Sequence, residues 1–385
     1  MHTLSPSQAA SMAEGVYRLR NKSLAELHRV RQPLGCEGLF RVEDDARLQG
    51  RAGAVVKELS GFGYIAVGEG AFQGQIACVT RGTQTNYDWA SNGNIGLQTG
   101  PDGQYVHAGF NEIWKSYREA LDTFLKGRNP SHVHCIGHSL GGALASLSAD
   151  YFSGRGVAAV SLYTFGAPRA GTLGFANRLT QKVGADCIFR LSHDADPVPM
   201  IALYPFHHVP TTTTGYALGR ASGSSIISVG AHSMLTSYMP GTSGKEWNAL
   251  LHVESELTDR EVQSWLEDTA NGSGVMAYSA EALRMIGRLL QWMLRKAGAL
   301  TANAISLGVT AGCTLLDRIA WVLERGCTFA KDLSRAGVAL ATAIYRFLGY
   351  AAGTVPELTV RFLRWLLGLL LQRIGGIAQR ALSLV

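Results

Sequence analysis

An α/β fold with a mostly parallel sheet is predicted by three observations. Short β-prone runs alternate with helical runs between Gly63 and Leu191; hydrophobic residues make up 46% of the 385-residue chain; and one β-prone run passes through a Gly-rich turn into a helix of small residues. The elements follow in order. Ser5 to about Leu27 reads as a helix, with Ala9, Met12, Ala13, Val16 and Tyr17 at helical spacing. Gly63–Val67 and Gln75–Val79 are apolar runs of strand length, and His107–Leu125 is an amphipathic helix. His132–Ile136 is a strand, Gly142–Phe152 a helix, Ala158–Phe165 a strand, Leu173–Val183 a helix and Cys187–Leu191 a strand. The stretch from Leu203 to Gly230, rich in Thr, Ser and Gly, gives only weak strand signals.

Charge divides the chain. Residues 1–275 carry 22 Lys and Arg against 24 Asp and Glu, whereas residues 276–385 carry 13 against 5. The expected organisation is therefore a near-neutral α/β domain over 1–275 and a basic, apolar, all-helical section over 276–385. The six cysteines, Cys36, Cys78, Cys135, Cys187, Cys313 and Cys327, form no paired spacing, so neither a zinc site nor a disulfide framework is expected. They read as buried free thiols. No cofactor, metal or nucleic-acid partner is expected. The first twenty residues lack the basic start and apolar core of a signal peptide, which implies cytoplasmic synthesis and, for any export, a route of another kind.

The Gly-rich turn is Gly137-His138-Ser139-Leu140-Gly141. A G-x-S-x-G pentapeptide arises readily by chance in a Gly-rich chain, so its context carries the weight. A nucleophile elbow needs a strand entering, a helix leaving and glycines on either side of a strained serine. Here His132–Ile136 enters and Gly142–Phe152 leaves, and the helix start points amide groups and partial positive charge at the serine.

A serine hydroxyl attacks only if a base removes its proton, and the base needs an acid to hold its tautomer. In α/β-hydrolases these follow the serine in the order acid, then histidine. The strand Cys187–Ser192 runs into His193-Asp194-Ala195-Asp196-Pro197, and spacing does not separate Asp194 from Asp196. The histidines beyond are His207, His208, His232 and His252. His232 lies in a turn leading into an apolar helical run, and His208 lies in a Pro-flanked, β-like run.

Several segments together resemble the class 3 (fungal-type) lipases, from about Gly63 to Trp265. Cys78-Val79-Thr80-Arg81-Gly82-Thr83 is similar to that family's strand ending in Arg-Gly-Thr/Ser, and Val106-His107-Ala108-Gly109-Phe110 to its H-x-G-F element. Ile136 to Ala145 matches its elbow, Thr164 to Arg169 its F-G-x-P-R strand end, and Asp196-Pro197-Val198-Pro199 its acid segment. The resemblance implies an α/β-hydrolase with Ser139 as nucleophile and Asp196 as acid. It also implies an oxyanion hole from Thr83 and the amide of Leu140. Phe206-His207-His208-Val209 resembles a segment whose histidine is structural, which leaves His232 as base; His138 would pack beside the acyl pocket. Asp88-Trp89 resembles a D-W pair of the family, but Ser91-Asn92-Gly93 stands where an acidic residue often follows.

Beyond residue 275 four helical segments are read: Ala277–Lys296, Leu300–Glu324, Phe329–Tyr350 and Pro356–Leu384. The last confines Glu357, Arg361, Arg364, Gly368, Gln372, Gly376 and Gln379 to one polar stripe, so its remaining positions belong against protein or lipid. The longest uncharged stretch, Ala297–Leu316, has 20 residues but includes Thr301, Asn303, Ser306, Thr310 and Thr314, and Arg or Lys breaks the other apolar runs before the ~20 residues a membrane span needs. Two expectations follow: packing against the catalytic domain, and binding of an anionic membrane surface. The expected function is hydrolysis of lipid esters, of the lipase or phospholipase A type, on a lipid or phospholipid substrate. An exported effector with an immunity or secretion partner is a further expectation. The rivals are an esterase on soluble or polysaccharide-linked esters, and an inactive membrane-binding protein.

Overall fold

The computed structural model describes residues 3–19, 33–52, 58–82, 96–203, 205–211, 215–219, 226–253, 260–262, 264–265, 279–300, 314–351 and 355–382. Helix α1 (Pro6–Gly15) starts at a capping box: the Ser5 hydroxyl accepts from the Gln8 amide, and the Gln8 side chain accepts from the Ser5 amide. It gives way to a 3-10 turn, Val16–Leu19, earlier than the sequence pattern suggested; the remainder of that expected helix lies outside the described residues.

The main sheet contains β1 (Phe40–Ala52), β2 (Glu58–Gly68) and β3 (Gln75–Thr80), joined antiparallel. A second, smaller antiparallel sheet begins with β4 (Leu97–Thr99) and β5 (Tyr105–His107), and α2 (Ala108–Leu125) follows. The chain then returns to the main sheet with β6 (His132–His138), α3 (Leu140–Gly154) and β7 (Ala159–Phe165). Next come β8 (Gly171–Thr172), α4 (Leu173–Val183), β9 (Ile188–His193), β10 (Phe206–His207), β11 (Gly215–Leu218) and β12 (Leu251–Val253). Among the described residues the main sheet has the order β1-β2-β3-β6-β7-β9-β11-β12. Its centre is parallel from β3 to β11, and both edges are antiparallel.

This is the α/β-hydrolase arrangement. Parallel central strands are buried on both faces, which is why β3 and β6 read as unbroken runs with every residue buried. The edge strand β1 was not legible as a strand because Glu43, Asp44, Asp45 and Arg47 leave its sequence without an apolar alternation. The small sheet was missed for a different reason: strands of two or three residues have no period to detect.

Four helices follow: α5 (Ala280–Leu300), α6 (Leu315–Phe329), α7 (Lys331–Leu348) and α8 (Val360–Leu382). Of the expected second helix, residues 301–313 lie outside the described residues; α6 starts at a Thr314/Asp317 capping box and continues to Phe329. The apolar face of α8, with Leu363, Leu366, Leu367, Leu370 and Ile374, is buried with Leu283, Ile286, Leu340 and Ile344 of the other helices. That same cluster includes Val198, Met200, Ile201, Leu203 and Phe206, from the chain just beyond β9. Arg284 of α5 bonds the Asp194 carboxylate at 2.9 Å, and α8 packs against the turn Val229–His232. No helix among the described residues is long and apolar enough to cross a membrane.

Candidate active site

Strand β6 delivers Ser139 to the mouth of α3 with φ 60° and ψ −135°, the only non-glycine residue at positive φ among the described residues. This strain is held by hydrogen bonds on both sides: the Ser139 amide donates to the Phe165 carbonyl at 2.9 Å, and its carbonyl accepts from the Gly142 amide at 2.9 Å. The flanking glycines are needed for room. A Cβ on Gly137 would lie 2.2 Å from the Gly141 carbonyl oxygen, and one on Gly141 would lie 2.3 Å from that of Thr80. The sharp turn thus brings three backbone segments together where no side chain fits.

The Ser139 hydroxyl meets His232 Nε2 at 2.8 Å, and His232 Nδ1 meets Asp196 Oδ2 at 2.8 Å. All three residues are wholly buried. The carboxylate fixes the proton on Nδ1, so Nε2 presents its lone pair to the serine hydroxyl. Asp196 is itself held: the Tyr238 hydroxyl donates to Oδ2 at 2.7 Å, and the Val198 amide donates to Oδ1 at 2.9 Å. Tyr238 in turn accepts from the His193 amide at 3.0 Å. Burial and the adjacent carboxylate push the Tyr238 phenol well above its ordinary value, so it remains a donor.

The two aspartates that spacing left unresolved face opposite ways, Asp196 toward His232 and Asp194 toward Arg284. Gly166 explains the F-G-x-P-R strand end. Its φ is 56°, and a Cβ there would lie 2.7 Å from Asp196 Oδ2 and 3.1 Å from His232 Nδ1. Arg169 of the same motif donates to the carbonyls of Met200 at 2.8 Å and Ala202 at 2.9 Å, tethering the chain beyond Asp196.

Leu140 opens α3, so its amide is among those with no acceptor inside the helix. Thr83, Asp88, Trp89 and the turn after them lie outside the described residues. The strand end before that segment is held by hydrogen bonds. Arg81 is buried and donates to the carbonyls of Gly61 and Gly82, each at 2.6 Å. The Gly82 amide donates to the Tyr17 hydroxyl at 3.1 Å, and that hydroxyl meets His138 Nδ1 at 2.8 Å. His138 Nε2 then donates to the His232 carbonyl at 2.9 Å. Burial and the nearby His232 hold His138 well below the ordinary imidazole range, so it stays neutral, with one donor nitrogen and one acceptor. One hydrogen-bonded line therefore joins the strand end before Thr83 to the backbone of His232.

The other histidines are placed elsewhere. His208 bonds the Pro199 carbonyl at 2.9 Å, His207 meets Gln291 at 3.2 Å, and His252 packs beside Tyr216 on the sheet edge. Cys36, Cys78 and Cys135 are buried and unbridged, and burial pushes the Cys78 thiol up to about 12; Cys187 and Cys327 are unbridged but partly exposed. Cys313 lies outside the described residues. Sequence reasoning missed Tyr17 and Tyr238 as parts of the site. Tyr17 was visible only as a member of an apolar helix face, and its partner is 121 residues away.

Fold and geometry together define an α/β-hydrolase carrying a Ser-His-Asp constellation at its nucleophile elbow. Residues 77–206 match the family model of the class 3 lipases, and over that segment the chain is class 3 lipase-like. It is 36% identical over 166 residues to secreted mono- and diacylglycerol lipase 1 of Fusarium solani, covering 42% of this chain and 48% of that one. It is 31% identical over 154 residues to secreted mono- and diacylglycerol lipase A of Penicillium cyclopium, covering 38% and 48%. The matched segment thus spans about half the length of these relatives. Among solved structures, that of MDLA from Penicillium cyclopium aligns with a TM-score of 0.43 at 22% identity, covering 66% of this chain and 84% of that one.

Proposed function

We propose that this chain hydrolyses the carboxylic esters of glycerolipids, with Ser139 as nucleophile, His232 as general base and acid, and Asp196 as the residue that orients it. The observation that carries this reading is the buried line of hydrogen bonds from Ser139 through His232 to Asp196. His232 Nε2 takes the hydroxyl proton as Ser139 Oγ attacks the acyl carbonyl. The resulting oxyanion lies against the Leu140 amide and, in this proposal, Thr83, where each donor contributes about 3 kcal/mol. Collapse returns the proton to the departing glycerol oxygen and leaves an acyl-serine. Water, deprotonated by His232, then releases the fatty acid.

Similarity to mono- and diacylglycerol lipases favours glycerides as substrates, while the basic C-terminal section favours anionic phospholipids. Incubation with defined tri-, di- and monoacylglycerols and phospholipids, read by mass spectrometry, tests the choice. Free fatty acid from any class, with labelling by a fluorophosphonate probe, is the expected result. No labelling and no release would sink the proposal. Action on another cell's membrane, with a neutralising partner protein, extends the same proposal; growth inhibition on periplasmic expression in bacteria, lost in Ser139→Ala, is its test.

The line through Tyr17 yields a smaller expected effect. Tyr17→Phe removes the hydroxyl that the Gly82 amide donates to and that pairs with His138 Nδ1. Leaving buried polar groups unpaired costs about 1–3 kcal/mol. If that cost falls on the oriented His232 and the adjoining strand end, kcat on a soluble short-chain ester drops about tenfold with KM little changed. A variant with unaltered kcat would show that the line is structural only.

A further inference from the structure

The four C-terminal helices bury their apolar stripes in one another, so lipid affinity, if present, must come from what remains outside. Five of the ten exposed large apolar side chains among the described residues belong to this section: Trp321, Phe329, Val338, Tyr350 and Trp365. They are not evenly scattered. Tyr345 near the end of α7 has its ring centroid 6.1 Å from Tyr350, 6.3 Å from Phe362 and 6.4 Å from Trp365. Phe362 and Trp365 lie 6.0 Å apart on the first turns of α8. Trp365 is 50% exposed and Tyr350 55%, so two of the four rings present half their surface outward.

Charge accompanies the rings. Arg361 and Arg364 are exposed and alternate with Phe362 and Trp365, and Arg364 bonds Asp317 at 2.7 Å. Further along, Arg373 and Arg380 are also exposed, and α8 contains no Asp or Glu. Glu357, before the helix starts, is the acidic residue nearest to it in sequence. Amphipathic aromatic rings beside arginines, on an acid-free helix within a section of 13 basic and 5 acidic residues, match an interface of apolar depth and negative charge.

We propose that Tyr345, Tyr350, Phe362 and Trp365, with Arg361, form a docking patch for the surface of an anionic lipid bilayer. The proposal deepens the lipid-ester reading and rests on it for its purpose. Its geometry is suited to that reading. Helix α8 carries Arg361, Phe362 and Trp365 of the patch and also packs against the Val229–His232 turn, and its 23 residues span about 35 Å. The docked surface and the catalytic histidine are therefore joined by one rigid element.

The test uses the full chain and vesicles of non-hydrolysable ether-linked lipids, either phosphatidylcholine alone or with phosphatidylglycerol, read by co-sedimentation. Wild type is expected to bind the anionic vesicles, less so in high salt. The double variant Tyr350→Ala/Trp365→Ala should lose binding about tenfold or more. Arg361→Gln should lose about fivefold on anionic vesicles alone. Trp365→Ala by itself should fall between the double variant and wild type, and all variants should keep wild-type turnover of a soluble short-chain ester. Wild-type failure to bind anionic vesicles, or a double variant that binds as wild type does, overturns the patch. Absent turnover of the soluble ester strikes the catalytic proposal instead and leaves the vesicle result to stand or fall alone.

Discussion

Ser139→Ala is expected to abolish ester turnover, lowering kcat by about 10⁶, because removing the nucleophile of a triad costs nearly as much as removing the whole triad. The substitution is structurally mild. Alanine keeps the Cβ, so the backbone strain at φ 60° is the same in both proteins, and among the described residues the lost oxygen is bonded only to His232 Nε2. Thermal unfolding should therefore shift by no more than a few degrees, and fluorophosphonate labelling should disappear. Asp196→Asn should be less severe, about 10⁴ in kcat, because the histidine survives in the wrong tautomer. That variant would also disturb Tyr238 and the Val198 amide, both of which donate to the carboxylate. Retention of more than about 1% of wild-type turnover in Ser139→Ala would remove Ser139 from the mechanism.

Ending the chain at residue 275 is expected to prevent stable folding of the remainder. The C-terminal helices share one core with Val198, Met200, Ile201, Leu203 and Phe206, which follow Asp196 in the chain. Exposing five such side chains costs roughly 8–15 kcal/mol at about 1.5–3 kcal/mol each, comparable to the whole stability of an ordinary domain. The same deletion strips Arg284 from Asp194 and uncovers the turn that carries His232. Soluble expression, circular dichroism and soluble-ester turnover of the truncated chain measure the effect. A well-folded product with wild-type turnover would mean that the helices are a separable attachment. Arg284→Ala is the milder companion: it leaves the buried Asp194 carboxylate without this partner while α5 remains in place.

Much of the fold around Ser139 was legible in the sequence because central parallel strands and their helices are continuous patterns. The run into Gly137, the small-residue helix after Gly141 and the strand before Asp194 all stand where their patterns put them. The charged edge strand β1 and the short strands of the second sheet were not legible, since edge charge and short length remove the periodicity on which such a reading depends. In the basic section the polar stripe of α8 correctly marked its exposed side. It did not reveal that the opposite side would be covered by protein, because protein and lipid both satisfy an apolar helix face.

By itself the sequence determined the strand–elbow–helix around Ser139, since glycine spacing and local apolar pattern are properties of adjacent residues. It narrowed the acid to Asp194 or Asp196 and, without a family comparison, the base to four histidines. Only the tertiary structure shows which of them stand in line with Ser139. Asp196 and Asp194 differ by the direction each carboxylate faces, one toward His232 and the other toward Arg284. His232 meets Ser139 across 93 residues, and Tyr17 meets His138 across 121. Such pairings depend on where the sheet brings distant turns together, and no local pattern encodes that distance.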